Sequence, residues 1–102
     1  MPRLLTDDEV ERQLDDLPDW HREGASIAAT LEAPDFPTGI RLVDEAALEA
    51  EEMNHHPDID IRWRTTRWTL STHSEGGLTQ LDIELAHRIS AAAARLGVRS
   101  GE

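Results

Sequence analysis

Apolar and polar residues recur along the chain with two periods, and the switches between them predict seven elements. Val10, Leu14 and Leu17 are spaced for one helix face. Thr6 and Glu9 have the capping-box spacing, so residues 6–16 are expected to form a first helix. Leu17-Pro18-Asp19 ends it. Residues 20–22 and 25–32 read as two short strands around the turn signal Glu23-Gly24. Pro34-Asp35-Phe36-Pro37 interrupts the pattern, and Pro37 suits the first turn of a helix. From there to about Asn54 the periodicity is helical, with Ile40, Val43, Ala47 and Ala50 expected on the buried face. Pro57 stops this helix, because it disfavours helical backbone at the preceding residue.

Beyond it, Ile59, Ile61 and Trp63 alternate with Asp60, Arg62 and Arg64, which predicts a half-buried strand. Trp68 and Leu70 belong to a second strand reaching His73, with a turn expected near Arg64-Thr65 from length alone. Ser74-Glu75-Gly76-Gly77 is a loop. Thr79 and Asp82 repeat the capping-box spacing. Leu81, Leu85, Ile89, Ala92 and Leu96 then make a last amphipathic helix, closed by Gly97. The order α-β-β-α-β-β-α, two hairpins joined by a long helix, predicts an α+β fold. Its expected form is a four-stranded antiparallel sheet with helices packed on one face, and the 102 residues suit a single domain over 1–102.

Composition narrows the function. Ten basic residues, all Arg, against 21 acidic ones give a net charge of −11, which opposes nonspecific contact with nucleic acid or anionic membrane. No Cys is present, which excludes a disulfide, a thiol nucleophile and a thiolate metal site. No apolar run approaches the roughly 20 residues of a membrane span. The N-terminus turns acidic at Asp7-Asp8 before a signal-peptide core can form, so a cytoplasmic location is expected. Only 38% of residues are apolar, so burial between subunits would help a domain this small.

The candidate chemistry lies in three histidines at element ends. His55 and His56 sit where a helix passes into a loop, and His73 where a strand does. Rigid elements position such groups while loops leave them accessible, and imidazole gives or takes protons at neutral pH. Glu51 follows Ala47 by four and precedes His55 by four, which is expected to place a carboxylate on the apolar stripe and within reach of His55. Each residue also has a plainer reading. Asp82 is explained by helix capping, Glu51 by the rim of the core, and His21 and His87 by the surface. Adjacent histidines point apart and seldom chelate one ion, and no His-x-x-x-His exists, so no metal is expected. Arg62, Arg64 and Arg67 fit an outward strand face. Gly76-Gly77 is too short for a phosphate loop, and Ser71 and Ser74 lack the setting of a nucleophile.

The spaced set Glu51, His55-His56-Pro57, Thr72-His73, Gly77-Leu78-Thr79 and Asp82 resembles the pterin-4a-carbinolamine dehydratase family, ungapped over about residues 36–90. The resemblance implies the same fold, assembly as a homodimer or homotetramer, and no metal or organic cofactor. It implies dehydration of 4a-hydroxytetrahydrobiopterin to quinonoid dihydropterin, which recycles the pterin of aromatic amino acid hydroxylases. His55, His56 and His73 match the family's active-site histidines. Glu51, Pro57, Thr72 and Asp82 match supporting or substrate-contacting positions, and Ser74 and Glu75 are expected at the pocket edge. Glu51 is expected to orient His55, and Asp82 to orient His73. Ile59 stands where an aromatic residue is common, and Trp63 where Tyr is usual. The alternative is a non-catalytic pterin-binding or protein-interaction module on this fold.

Overall fold

The computed structural model describes residues 2–101. Helix α1 spans Asp7–Leu14, with Thr6 as its N-cap and a complete capping box to Glu9. Strands β1 (His21–Glu23) and β2 (Ser26–Glu32) form the first hairpin. Helix α2 covers Phe36–Met53, capped by Asp35, whose carboxylate accepts the Thr38 amide. Strands β3 (Asp58–Arg62) and β4 (Thr65–Leu70) form the second hairpin. A 3-10 turn follows at His73–Glu75, then helix α3 at Gln80–Leu96. The expected order of elements is present, and all strand pairings are antiparallel. A short β5, Arg99–Ser100, pairs with the end of β2 and adds a fifth strand to the expected four.

The sheet order β1-β2-β4-β3 puts β2 and β4 in the centre. Their register pairs Ile27 with Leu70, Ala29 with Trp68 and Leu31 with Thr66, all buried on one face. The intervening pairs are Ala28 with Thr69, Thr30 with Arg67 and Glu32 with Thr65; of these only Ala28 is fully buried, the period-2 pattern of a sheet covered on one side. Helix α3 contributes Ile83, Leu85, Ala86, Ile89, Ala92 and Ala93 to the core. Helices α2 and α3 are also tied by ion pairs, Arg88 to Glu49 and Glu52, and Arg95 to Glu45.

Two expectations are corrected. Helix α2 buries Thr38, Gly39, Leu42, Ala46 and Ala50, while Ile40 and Ala47 face solvent and Val43 is half-buried. The helix has two apolar stripes, and the packed one contains the small residues. Gly39 lies near other elements: a Cβ there would sit 3.7 Å from the Ala33 side chain and 3.8 Å from Ile61 Cδ1, ordinary packing distances. Strand β3 is not half-buried: every residue is exposed. Ile59 and Ile61 share a sheet face with Trp68 and Thr66, but the strand is an edge with nothing beyond it among the described residues. Trp63 leaves the strand altogether. It sits at φ 57° in the Trp63-Arg64 turn, 74% exposed, with the Arg64 guanidinium 5.3 Å from its ring centre.

Candidate active site

Three segments meet where α2 ends and α3 begins. Helix α2 stops because Asn54 adopts the left-handed conformation, φ 50° and ψ 44°, which Asn tolerates better than most residues. The chain reverses there, and the His55 amide donates back to Ala50 O at 3.0 Å. His55 Nε2 then lies 2.6 Å from Asp82 Oδ1 in the first turn of α3. Asp82 has no exposed surface and the His55 side chain is only 10% exposed. Asp82 Oδ2 accepts the Thr72 hydroxyl at 2.8 Å and the Thr79 amide at 2.9 Å. One oxygen therefore caps the helix and the other holds a histidine. Asp82 thus makes both the capping contact and a contact to His55.

His73 is the residue after Thr72, so it is carried on backbone fixed one position away by the same carboxylate. The loop that bears it is closed by Thr72 pairing with Gly77 and by a left-handed Gly76 at φ 72°. His73 is exposed, and no side-chain hydrogen bond to it exists among the described residues. His56 is exposed too, and its Nε2 lies 2.5 Å from Glu51 Oε2. Pro57 is half-buried beside it. Ser74 and Glu75 contact each other at 3.4 Å on the 3-10 turn.

The expected pairings are exchanged. Glu51 holds His56, not His55, and it stands in solvent rather than on the buried stripe. The expectation assumed that the helix continues to residue 55. Because it ends at Met53, the left-handed Asn54 sends His55 inward and brings His56 over Glu51. Asp82 holds His55, not His73. Thr72 is buried with its hydroxyl committed to Asp82 and Thr79. Thr79 was not foreseen as part of the site. Its signal was the capping spacing with Asp82, which by itself gives no hint of a histidine on the carboxylate's other oxygen.

A cleft of about 550 Å³ lies instead between the N-terminal segment and α3, lined by Pro2, Arg3, Leu5, Gln80, Leu81 and Glu84, and holds no histidine. Of the three candidate histidines, His56 and His73 are exposed and His55 is nearly buried. Among the described residues, no three His, Asp or Glu side chains are arranged to hold a metal ion. No described helix is long and apolar enough to cross a membrane.

An antiparallel sheet with a buried histidine–carboxylate pair at the junction of two helices, and two further histidines each next in sequence to a residue of that network, defines a class of small α+β protein. The chain belongs to the pterin 4 alpha carbinolamine dehydratase family, whose sequence model matches residues 3–92. A Nocardia farcinica protein provisionally named pterin-4-alpha-carbinolamine dehydratase is 57% identical over 86 residues, 84% of this chain and 90% of that protein. One from Mycobacterium tuberculosis with the same provisional name is 49% identical over 88 residues, 86% of this chain and 94% of that one. The crystal structure of a transcriptional coactivator/pterin dehydratase from Brucella melitensis superposes with a TM-score of 0.87 at 34% identity, covering 89% of this chain and 99% of that one.

Proposed function

We propose that the protein is a hydro-lyase that removes water from 4a-hydroxytetrahydrobiopterin, giving quinonoid dihydropterin. The observation that carries this reading is the His55–Asp82 pair, a nearly buried imidazole held at 2.6 Å by a carboxylate with no exposed surface. A proton donor must be held in one orientation, and this pair holds His55 in one.

The chemistry needs two proton movements. The 4a-hydroxyl must leave as water, and the proton on N5 must go so that the C=N bond can form. Neither step calls for a redox change or a covalent intermediate. Asp82 takes Nε2–H of His55 and leaves Nδ1 to the substrate. Held in that orientation, His55 suits the role of general acid at the hydroxyl. His73, free on its turn, is the second acid. Glu51 takes Nε2–H of His56 and leaves its Nδ1 as the base or binding group at N5. Pro57, Ser74 and Glu75 border the pterin. Thr72 supports from behind, because its hydroxyl is turned inward.

The test is turnover of freshly generated 4a-hydroxytetrahydropterin by His55→Ala, His56→Ala and His73→Ala, followed by absorbance decay. Each imidazole is expected to be worth about 10²–10⁴ in rate. Wild-type rates in all three variants would remove the catalytic assignment, and tight pterin binding without turnover by the wild type would favour the non-catalytic module. The role in the cell that follows is recycling of the pterin used by aromatic amino acid hydroxylases, in the cytoplasm.

We also propose a homo-oligomer. Among the described residues, six of the seven large apolar side chains with high exposure, Phe36, Ile40, Leu48, Ile59, Ile61 and Trp63, belong to α2, β3 and its turn. Strand β3 offers a free edge, and it is self-complementary. Two copies running antiparallel about Asp60 set Asp58 against the partner's Arg62 and Ile59 against the partner's Ile61.

A further inference from the structure

The hydroxyls behind His55 carry an order that the proposed reaction does not by itself require. Leu81 N donates to Thr79 Oγ1 at 3.3 Å, so that oxygen is already an acceptor. The Thr79 hydroxyl proton then has Thr72 Oγ1 as its partner, 2.8 Å away. Thr72 has one hydroxyl proton, and Asp82 Oδ2 lies 2.8 Å from its oxygen. The opposite order fails. If Thr72 donated to Thr79, the Thr79 proton would lack an acceptor on a residue with no exposed surface. Thr72 Oγ1 would also meet Asp82 Oδ2 lone pair to lone pair. The protons therefore run one way, from the first turn of α3 through Thr79 and Thr72 to Asp82. The Thr79 amide adds a second donor on the same oxygen at 2.9 Å. With Oδ2 taken by two donors, Oδ1 is the oxygen left to accept Nε2–H of His55.

We infer that Thr79, which does not touch His55, is a positioning residue: its hydroxyl sets the direction of a Thr79–Thr72–Asp82 relay that holds His55 as the Nε2–H tautomer and turns Nδ1 toward the substrate. The consequence for turnover rests on the proposed reaction at His55. The tautomer does not.

The test compares wild type, Thr79→Val and Thr79→Ser in the intact protein. Val keeps the shape and the backbone amide but removes the hydroxyl, and Ser keeps the hydroxyl. Nitrogen-15 NMR of the imidazoles reads the tautomer directly. Neutral His55 in the wild type is expected to carry its proton on Nε2, with a downfield, slowly exchanging resonance. Thr79→Val is expected to speed that exchange and lower kcat about tenfold with KM nearly unchanged, and Thr79→Ser to restore both. Should Thr79→Val fail to fold, Thr72→Val removes the next hydroxyl and is expected to give the same signature.

An Nδ1–H tautomer in the wild type would overturn the inference. So would a hydroxyl-free variant whose His55 resonances match the wild type, or a Ser variant that fails to restore them. A wild type that binds pterin without turnover would end the proposed reaction, and the NMR arm would still decide the relay.

Discussion

Arg3 meets Glu9 through two guanidinium nitrogens, each at 2.9 Å, while the Thr6 amide donates to the same carboxylate at 2.8 Å. The Arg3 hydrogen bonds first, and the Thr6 amide second, hold the Glu9 carboxyl down at about 2 from its ordinary 4.5. A depressed carboxyl contributes stability that is complete above its unfolded value and is lost as pH falls through its folded one. Glu9→Gln keeps an acceptor for the cap but not the charge. Its melting temperature is therefore expected to lie below that of the wild type by a constant margin above pH 4.5, a margin that closes as pH falls to about 2. A series of thermal melts across that range checks it. A margin that persisted at the acid end would show that Glu9 acts through packing instead. Single residues were legible in the sequence where a short-range rule applies: both capping boxes are present as read. Asp82 was legible only in part, because its partner lies 27 positions away and a capping rule looks three.

At the scale of elements, the site depends on how α2 ends. Among the described residues, Asn54 is one of two non-glycine residues with positive φ, at 50°, and its turn delivers His55 to Asp82. Asn54→Ala is expected to cost roughly 1–2 kcal/mol in urea unfolding, the penalty of a Cβ-bearing residue that lacks the local polar contacts of Asn in this conformation, and to lower turnover by misplacing His55. Asn54→Gly is expected to match or exceed wild-type stability. Equal stability of the Ala and Gly variants would show that the left-handed turn is not under strain. The same turn explains why the Glu51 and Asp82 pairings could not be read correctly from spacing. Counting four residues forward presumes unbroken helix, and Pro57 dates the stop only to within a residue or two. The long helices themselves were legible, because periodicity sustained over many residues is a strong signal. Which of the two apolar stripes of α2 faces inward was not, since both have helical period and only packing against the rest of the fold selects between them.

For the whole molecule, the misjudged strand and the proposed assembly are one matter. Alternation along β3 promised a half-buried strand, and a lone chain leaves it exposed, with Ile59 at 39% and Ile61 at 37%. Periodicity reports which residues share a face; it does not say whether the cover comes from the same chain. Wild-type protein is expected to sediment as a dimer or larger. Ile61→Asp, which sets a carboxylate opposite the partner's Ile59, is expected to sediment as a monomer with unchanged circular dichroism. A wild type that is monomeric at high micromolar concentration would overturn the assembly.

The three indoles stand in different surroundings: Trp68 is fully enclosed, Trp20 nearly so with its N–H on Ser90 Oγ, and Trp63 projects into water. Emission from the chain is thus already divided between two shielded fluorophores and one wet one. Denaturation alters the colour of the shielded pair, whereas the proposed docking of β3 would dry Trp63, so folding and association would leave separate optical signatures without any added dye.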